Sequence, residues 1–168
     1  MSTHATDPVA AAGIEKTIWR IDPDRSSVEF NAKGFWGIAT VKGRFSRYQG
    51  TLDLSAKPAI ELTIEADSLD TKNNRRDKHL RSPDFFDVEN APEISFESTS
   101  IESTDKGVVV AGNLKIREAV FHVELPLALR GPSNDAYGNE RIGADGTATI
   151  EWADDVITLV VKISAIRA

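Results

Sequence analysis

Apolar and polar residues alternate along most of this chain with a period of two rather than 3.6. The longest such run extends from Phe121 to Leu129, where every second residue is apolar. A period of two gives a strand one buried and one hydrated face, so the chain is predicted to consist mainly of β-strands. The alternating runs predict eight strands, near residues 26–34, 38–54, 59–67, 93–101, 107–117, 120–130, 140–152 and 156–166, with a short extra strand near 17–21.

The run 38–54 changes its apolar phase in the middle. Its apolar residues are mainly odd-numbered as far as Phe45 and mainly even-numbered from Tyr48 onward. Because a slip of one residue would turn the core face of a strand outward, a β-bulge is predicted near Ser46-Arg47. Bulges bend long strands, and a barrel needs bent strands. Clusters of turn-forming residues are predicted to separate the other runs, at 55–58, 105–107, 131–134, 145–146 and 154–155.

The connection from Ser68 to Pro92 is the one long gap between predicted strands. It contains the only helical candidate, Asn74–Arg81, which ends before Pro83. Eight sequential antiparallel strands can close on themselves. The predicted fold is therefore all-β, an eight-stranded antiparallel β-barrel with one short helix in the connection at about 68–92. A two-sheet sandwich carries the same local pattern, so closure of the barrel stays open at this point.

Length, charge and composition narrow the class of protein. The 168 residues suit one domain, predicted to span 17–168 after a disordered leader at 1–16. There is no cysteine, which excludes disulfides and thiolate metal sites. The net charge of −6 comes without a basic stripe, so nucleic acid is not an expected partner. The sequence shows no signal-peptide pattern and no membrane-spanning run, and a cytoplasmic location is predicted.

Patterns typical of catalysis and metal binding do not occur in the sequence. Its three histidines, His4, His79 and His122, lack the spacing of a metal site. There is no nucleophile elbow, phosphate-binding loop or dinucleotide fingerprint. Carboxylates of the clear strands mostly occupy the hydrated phase, as Glu61 and Glu97 show. We therefore expect a protein that is not an enzyme, binds no metal and requires no cofactor.

Aromatic side chains are the better functional candidates. Most of them lie on the apolar phase of a strand or in the long connection, and Phe35-Trp36-Gly37 suits the rim of a barrel. Ligand sites are mostly apolar and aromatic, but a small barrel can equally be filled by its own side chains. From the residues alone, a packed core is the favoured interpretation.

Six segments, taken in order, resemble the YceI-like family. They are Trp19–Phe30, Val41–Phe45, Tyr48–Gly50, Ser68–Val88, Pro92–Phe96 and Gly112–Leu114. The segment Ser68–Val88 is the most specific match, and the resemblance extends from Trp19 to the C-terminus. It implies a lipocalin-like, eight-stranded antiparallel barrel whose interior binds long isoprenoid chains, often in a homodimer.

The resemblance makes the barrel interior a predicted binding site. The expected ligand is an apolar small molecule, an isoprenoid lipid or a quinone, with transient membrane contact and a homodimer as further expectations. Arg76 and Asp77 are candidates for contact with a polar headgroup, although fastening the helix over the barrel mouth is the favoured interpretation of this pair. The predicted ligand-binding residues are Phe30, Phe35, Trp36, Ile38, Phe45, Leu80, Phe85, Phe86, Phe96, Leu114, Phe121, Val123 and Trp152.

The chain departs from the family pattern at several positions. Arg25 stands where the family often has a histidine, and Lys115–Glu118 lacks the family's glycine. These departures leave the identity of the ligand open. Two alternative functions also stand: a filled barrel that serves as a protein-interaction or dimerisation module, and an enzyme on a hydrophobic substrate with Arg76, Asp77 or His79 at the mouth.

Overall fold

The computed structural model of the chain describes residues 18–32, 40–53, 55–152 and 155–168, and all structural statements below concern these residues. They contain eleven strand segments and one α-helix. The strands are β1 (Ile18–Ile21), β2 (Ser27–Ala32), β3 (Val41–Phe45), β4 (Tyr48–Asp53), β5 (Ile60–Glu65), β6 (Leu69–Asp70), β7 (Glu93–Thr104), β8 (Gly107–Ile116), β9 (Ala119–Asn134), β10 (Glu140–Trp152) and β11 (Asp155–Arg167), and the helix is α1 (Asn74–Arg81).

The strands form one closed antiparallel barrel with eight strand positions. Two of these positions are each occupied by two consecutive segments, β1 with β2 and β3 with β4. The order around the barrel is β1/β2, β3/β4, β5, β7, β8, β9, β10 and β11, and β11 closes the ring by pairing with β1 and β2. The predicted eight-stranded barrel is confirmed, and α1 has the predicted bounds.

A tight turn joins β1 to β2 without taking either segment away from β11. The turn is one turn of 3-10 helix at Pro23–Arg25, which the Asp22 carboxylate caps by accepting from the Asp24 N–H at 3.1 Å. The Ser26 hydroxyl donates to the Asp22 carbonyl at 2.7 Å and accepts from the Ser164 N–H at 2.9 Å. The junction therefore bends the strand while it stays attached to β11.

The interruption between β3 and β4 lies at the predicted place. Ser46 and Arg47 leave the regular ladder, and both bond to Ser68 instead. The Ser46 N–H donates to the Ser68 carbonyl at 3.2 Å, and the Arg47 N–H donates to the Ser68 hydroxyl at 3.0 Å. Because the two N–H groups gain these partners, they stay paired where the buried phase changes from Phe45 to Tyr48.

Two of the predicted turn clusters are wrong, because they lie inside long strands. Residues 131–134 complete β9, and Asp145-Gly146 lies in the middle of β10. A Cβ atom on Gly146 would come within 2.2 Å of the Pro126 carbonyl oxygen, so this glycine permits close approach of β9 rather than a chain reversal. The two strands are instead joined at 135–139, where the Asp135 carboxylate accepts N–H bonds from Tyr137 and Asn139.

The hydrophobic core lies inside the barrel and under α1. Within the described ranges, no helix is long and apolar enough to cross a membrane. The predicted leader at 1–16 and the domain boundary after it lie outside the described residues and stay predictions.

Candidate ligand-binding interior

One end of the barrel is covered by α1 and the residues that follow it, a segment that we call the cap (residues 71–88). The helix begins where the Asn73 side chain accepts from the Arg76 N–H at 3.0 Å. On its inner face Leu80 is only 1% exposed, and Phe86 follows the helix into the barrel. The helix therefore turns its one large apolar side chain toward the interior, and most of its charged residues, Asp77 excepted, are exposed or half-buried.

Arg76 and Asp77 fasten the start of the cap. The Arg76 guanidinium donates to the Thr71 hydroxyl at 2.9 Å and to the Thr71 carbonyl at 2.8 Å. The buried Asp77 carboxylate accepts from the Thr71 N–H at 2.9 Å and from the Thr71 hydroxyl. This geometry supports the fastening role, and contact with a ligand headgroup stays a prediction.

Two further arginines hold the end of the cap to the barrel. Arg81 donates to the Leu69 carbonyl at 2.9 Å. Arg117, in the turn between β8 and β9, donates to the carbonyls of Pro83 and Phe85, each at 3.0 Å. Charge-assisted bonds of this kind are stronger than neutral ones, so the cap is tied to the barrel on both sides.

Four aromatic rings meet beneath the cap. The ring centroid of Phe86 lies 4.9 Å from that of Trp152, 6.0 Å from that of Phe45 and 6.3 Å from that of Phe30. The Phe86 contacts with Phe30 and Phe45 are edge-on. Such distances are typical of stabilising aromatic contacts, and the rings form the roof of the barrel interior.

The interior contains two adjoining cavities. The first lobe, below the cap, has a volume of about 100 Å³. The second lobe, toward the other end, has a volume of about 130 Å³. Both walls are apolar, and four side chains belong to both lobes and form a waist between them. The waist residues are Leu62, Phe96, Leu125 and Val161.

Charge is nearly absent from this interior. Among the described residues that line either lobe, Glu29 is the sole ionisable one, and its side chain belongs to an exposed position of β2. No group of three or more potential metal ligands occurs in the part of the chain that the structure describes. The lobes can therefore hold apolar matter and offer a charged group no compensating partner.

The barrel wall is split beside the first lobe. Strands β9 and β10 are paired from Asn134 with Glu140 to Leu127 with Gly146, and there the pairing stops. Beyond it, the pairing of residues 119–126 with other described residues is with β8 alone, and that of residues 147–152 is with β11 alone. We call this gap between residues 119–126 and residues 147–152 the seam. One edge of the seam carries Val123 and Leu125, and the other edge carries Ala148 and Ile150. All four side chains line the first lobe.

An ion cluster lies at the start of β10, at the end of that strand away from Trp152 and the cap. The Arg141 guanidinium lies 2.8 Å from the Asp22 carboxylate and 2.7 Å from the Asp135 carboxylate. The hydrogen bond from Arg141 lowers the pKa of Asp135 well below its usual range. The cluster joins the β1–β2 junction to the β9–β10 turn and lies outside the two lobes.

The structure brings most of the predicted ligand-binding residues together. Eight of them line the first lobe: Phe30, Phe45, Leu80, Phe86, Phe96, Leu114, Val123 and Trp152. Phe85 is buried beside His79, and Phe121 packs against the core, but neither lines a lobe. Phe35, Trp36 and Ile38 lie outside the described residues. That these side chains bind a ligand remains a proposal.

The second lobe contains residues that the sequence reasoning missed. Its wall includes Trp19, Leu52, Ile101 and Ile142, together with Leu127 and Leu129 of the long alternating run. The signal was available in that run, because its inward phase continues well beyond Val123. Strand length, which sets how far the interior extends, was the missing information.

Fold and interior together define a capped, lipocalin-like closed barrel with an apolar interior divided into two lobes. The sequence pattern of the YceI-like domain matches residues 19–162. The chain therefore belongs to the YceI-like domain family.

Individual relatives agree with this assignment. A UPF0312 protein of Pseudomonas paraeruginosa is 32% identical over 142 residues, which cover 81% of this chain and 74% of the relative. The crystal structure of a YceI protein from Campylobacter jejuni superposes with a TM-score of 0.69 at 26% identity, covering 79% of this chain and 88% of the other. A polyisoprenoid-binding domain from Saccharophagus degradans, implicated in plant cell wall breakdown, shares the fold with a TM-score of 0.70 at 12% identity, covering 89% and 98% of the two chains.

Proposed function

We propose that this protein binds a long apolar isoprenoid molecule, a lipid or a quinone, inside the barrel and stores or carries it without chemical change. The observation that carries the proposal is the pair of adjoining apolar lobes along the barrel. Each methylene group moved from water into such a lobe contributes about 0.8 kcal/mol, so a prenyl chain can bind tightly through burial alone. The polyisoprenoid-binding domain that shares the fold supports this choice of ligand.

A long chain needs more room than either lobe offers. The lobes measure about 100 and 130 Å³, whereas sites for ligands of drug size measure about 300–1,000 Å³. A ligand that spans both lobes therefore has to displace waist side chains such as Phe96 and Leu125. The seam lets the wall move aside, because between the described residues of its two edges the β9–β10 ladder is absent beyond Gly146.

Catalysis has less support than binding. The candidate catalytic residues Arg76 and Asp77 are hydrogen-bonded to Thr71. The third candidate, His79, lies at the surface, where its Nε2 is 3.4 Å from the Asp84 Oδ2. None of these three side chains lines either lobe. The filled-barrel alternative also has less support, because both lobes hold open volume.

A matched pair of alanine substitutions tests the binding site. Ala148 is buried and lines the first lobe, whereas Ala128 is exposed on the outside of β9. Ala148→Leu places three more carbon atoms in the lobe and should reduce uptake of ubiquinone or undecaprenol about tenfold, measured by native mass spectrometry. Ala128→Leu should leave uptake unchanged. If the wild-type protein gains neither mass nor thermal stability with either ligand, the proposal fails.

The assembly, the membrane contact and the cellular location belong to the same proposal. A homodimer, transient contact with a membrane and a cytoplasmic location are its expected setting. Light scattering on the full chain tests the dimer, and vesicle flotation with and without bound quinone tests the membrane contact.

A further inference from the structure

Two parts of the wall of the first lobe can give way to an entering ligand, the cap and the seam. The cap contributes Leu80 and Phe86 to the lining of this lobe, and the two edges of the seam contribute four side chains. The contacts that each part has to break decide which of them opens more easily.

Opening of the cap breaks several charge-assisted hydrogen bonds together. Arg117 donates to two carbonyl groups of the cap, and Arg81 holds the helix to the Leu69 carbonyl at 2.9 Å. Movement of the cap also takes the buried rings and side chains of Phe86 and Leu80 out of the core. Entry under the cap is therefore the costly route.

Opening of the seam breaks no ladder bond between the described residues of β9 and β10, because their ladder ends at Leu127 and Gly146. Residues 119–126 stay bonded to β8, and residues 147–152 stay bonded to β11, so each edge can move together with its neighbouring strand. Regions with few backbone hydrogen bonds open more readily than fully paired ones. The seam is therefore the route of lower cost.

A proline explains why the ladder ends where it does. The Pro126 carbonyl faces β10, since a Cβ atom on Gly146 would come within 2.2 Å of its oxygen. The N–H and C=O of a residue in an extended strand point to the same neighbouring strand, so the Pro126 nitrogen also faces β10. Proline has no N–H to donate, and the ladder loses its next bond at this point.

We infer that the seam is the entrance through which the ligand passes sideways, between β9 and β10, into the first lobe while the cap stays closed. The inference rests on the proposed function and adds a route to it. An entrance sets the barrier that a ligand crosses in both directions, so blocking it slows uptake and release alike. A part of the wall that only makes room for the ligand would instead change how tightly the ligand is held.

Cross-links placed at either route test the inference, because the chain has no cysteine of its own. Glu124→Cys with Thr149→Cys places two thiols on the exposed outer side of the seam, each three positions beyond the last β9–β10 pair. Asp84→Cys with Glu118→Cys places two thiols on exposed positions of the cap and of the β8–β9 turn. A short bis-maleimide joins each pair, and the same variant before cross-linking is its control.

Stopped-flow quenching of tryptophan fluorescence follows uptake and release of ubiquinone-2, since Trp152 lines the first lobe. The seam cross-link should slow both rates at least about tenfold, and the cap cross-link should change neither by more than about twofold. Circular dichroism of each cross-linked protein checks that the fold is kept.

The outcomes separate the inference from the proposed function. Unchanged rates with the seam cross-link, or equal slowing with the cap cross-link, overturn the inference and leave the proposed function standing. Slower uptake without slower release also overturns it, because the seam then makes room for the ligand without being its route. If the wild-type protein binds neither ubiquinone-2 nor undecaprenol, the inference and the proposed function fail together.

Discussion

Glycine residues in the strands show how one missing side chain shapes this barrel. Gly146 stands at the last paired position of β9 and β10, where the seam begins. Its neighbour across the strands is a backbone carbonyl, which cannot move aside without shifting β9. Gly143, three residues earlier in β10, faces the guanidinium of Arg130 instead, and that flexible group can move.

These two positions make a matched test. Gly146→Ala should lower the free energy of unfolding by about 2 kcal/mol, because the added methyl group overpacks against rigid backbone. Gly143→Ala should cost less than half of that amount. Urea unfolding of both variants measures the difference, and equal costs would show that close approach of β9 and β10 is not what requires glycine at Gly146.

Thr71 is the residue on which the start of the cap depends. Its hydroxyl accepts from Arg76 and donates to Asp77, and Asp77 is buried. Thr71→Val preserves the shape of the side chain and removes both bonds. The variant should lose about 2 kcal/mol of unfolding free energy, because a buried carboxylate is left short of a donor.

The control for Thr71→Val is Thr149→Val on the exposed face of β10. It makes the same chemical change in a strand where valine is tolerated, and it should leave the melting temperature within about one or two degrees of the wild type. A Thr71→Val protein as stable as this control would contradict the fastening role of the cap residues.

At the scale of elements, the seam is the feature that separates this barrel from a uniformly paired one. Strand β10 is bonded to β11 along its whole length from Arg141 to Trp152, but to β9 only as far as Gly146. Regions with few backbone hydrogen bonds open more readily than fully paired ones. The seam should therefore be the most easily opened part of the β9–β10 wall.

Amide hydrogen exchange tests this property. The N–H groups of residues 119–126 and 147–152 that face the seam should exchange at least about tenfold faster than those bonded between β10 and β11. Addition of a prenyl quinone should slow the exchange of these N–H groups, because a ligand in the first lobe packs against both edges of the seam. Uniform protection along β9 and β10 would mean that the two strands are held together by other means.

Predictability from sequence also differs between elements. The alternation within each run was enough to place the strands and the phase change near Ser46-Arg47, because these are local properties of the chain. The predicted turns at 131–134 and 145–146 are wrong because a bulge or a close contact between strands needs glycine just as a turn does. The sequence alone does not distinguish these cases. The seam could not be predicted, since it depends on where two strands stop pairing.

At the scale of the whole molecule, the Arg141 cluster joins parts of the chain that are far apart in sequence. Arg141 contacts Asp22, which is 119 residues away, and Asp135 in the β9–β10 turn. The second lobe could not be predicted from the sequence because it also depends on residues far apart in the chain. Trp19 and Ile142, for example, become neighbours only when the ring of strands closes. A periodic pattern identifies inward residues but does not say how many layers of them the barrel encloses.

The cluster makes global stability depend on acidity. The folded-state pKa of Asp135 lies below its usual value of 3.8, so its contribution is fully present above that value and is lost as the pH falls toward the folded-state pKa. Asp135→Asn removes this contribution at every pH. The difference in urea midpoint between wild type and Asp135→Asn should therefore narrow when the pH is lowered from about 6 to about 3.

The carboxylate of Asp105, in the exposed β7–β8 turn, provides the comparison. Asp105→Asn should differ from the wild type by a constant amount over the same pH interval. If the difference in urea midpoint between the wild type and Asp135→Asn also stays constant over this interval, the Arg141 bond does not distinguish the folded from the unfolded state.

The waist has a consequence for how the two lobes respond to occupants. Phe96 belongs to both walls, so any rotation of its ring that enlarges one lobe changes the shape of the other. Two short molecules, one in each lobe, would then bind cooperatively or anticooperatively, and the factor by which each alters the other's affinity must be the same in both directions. Side chains that divide a cavity thus also couple its halves.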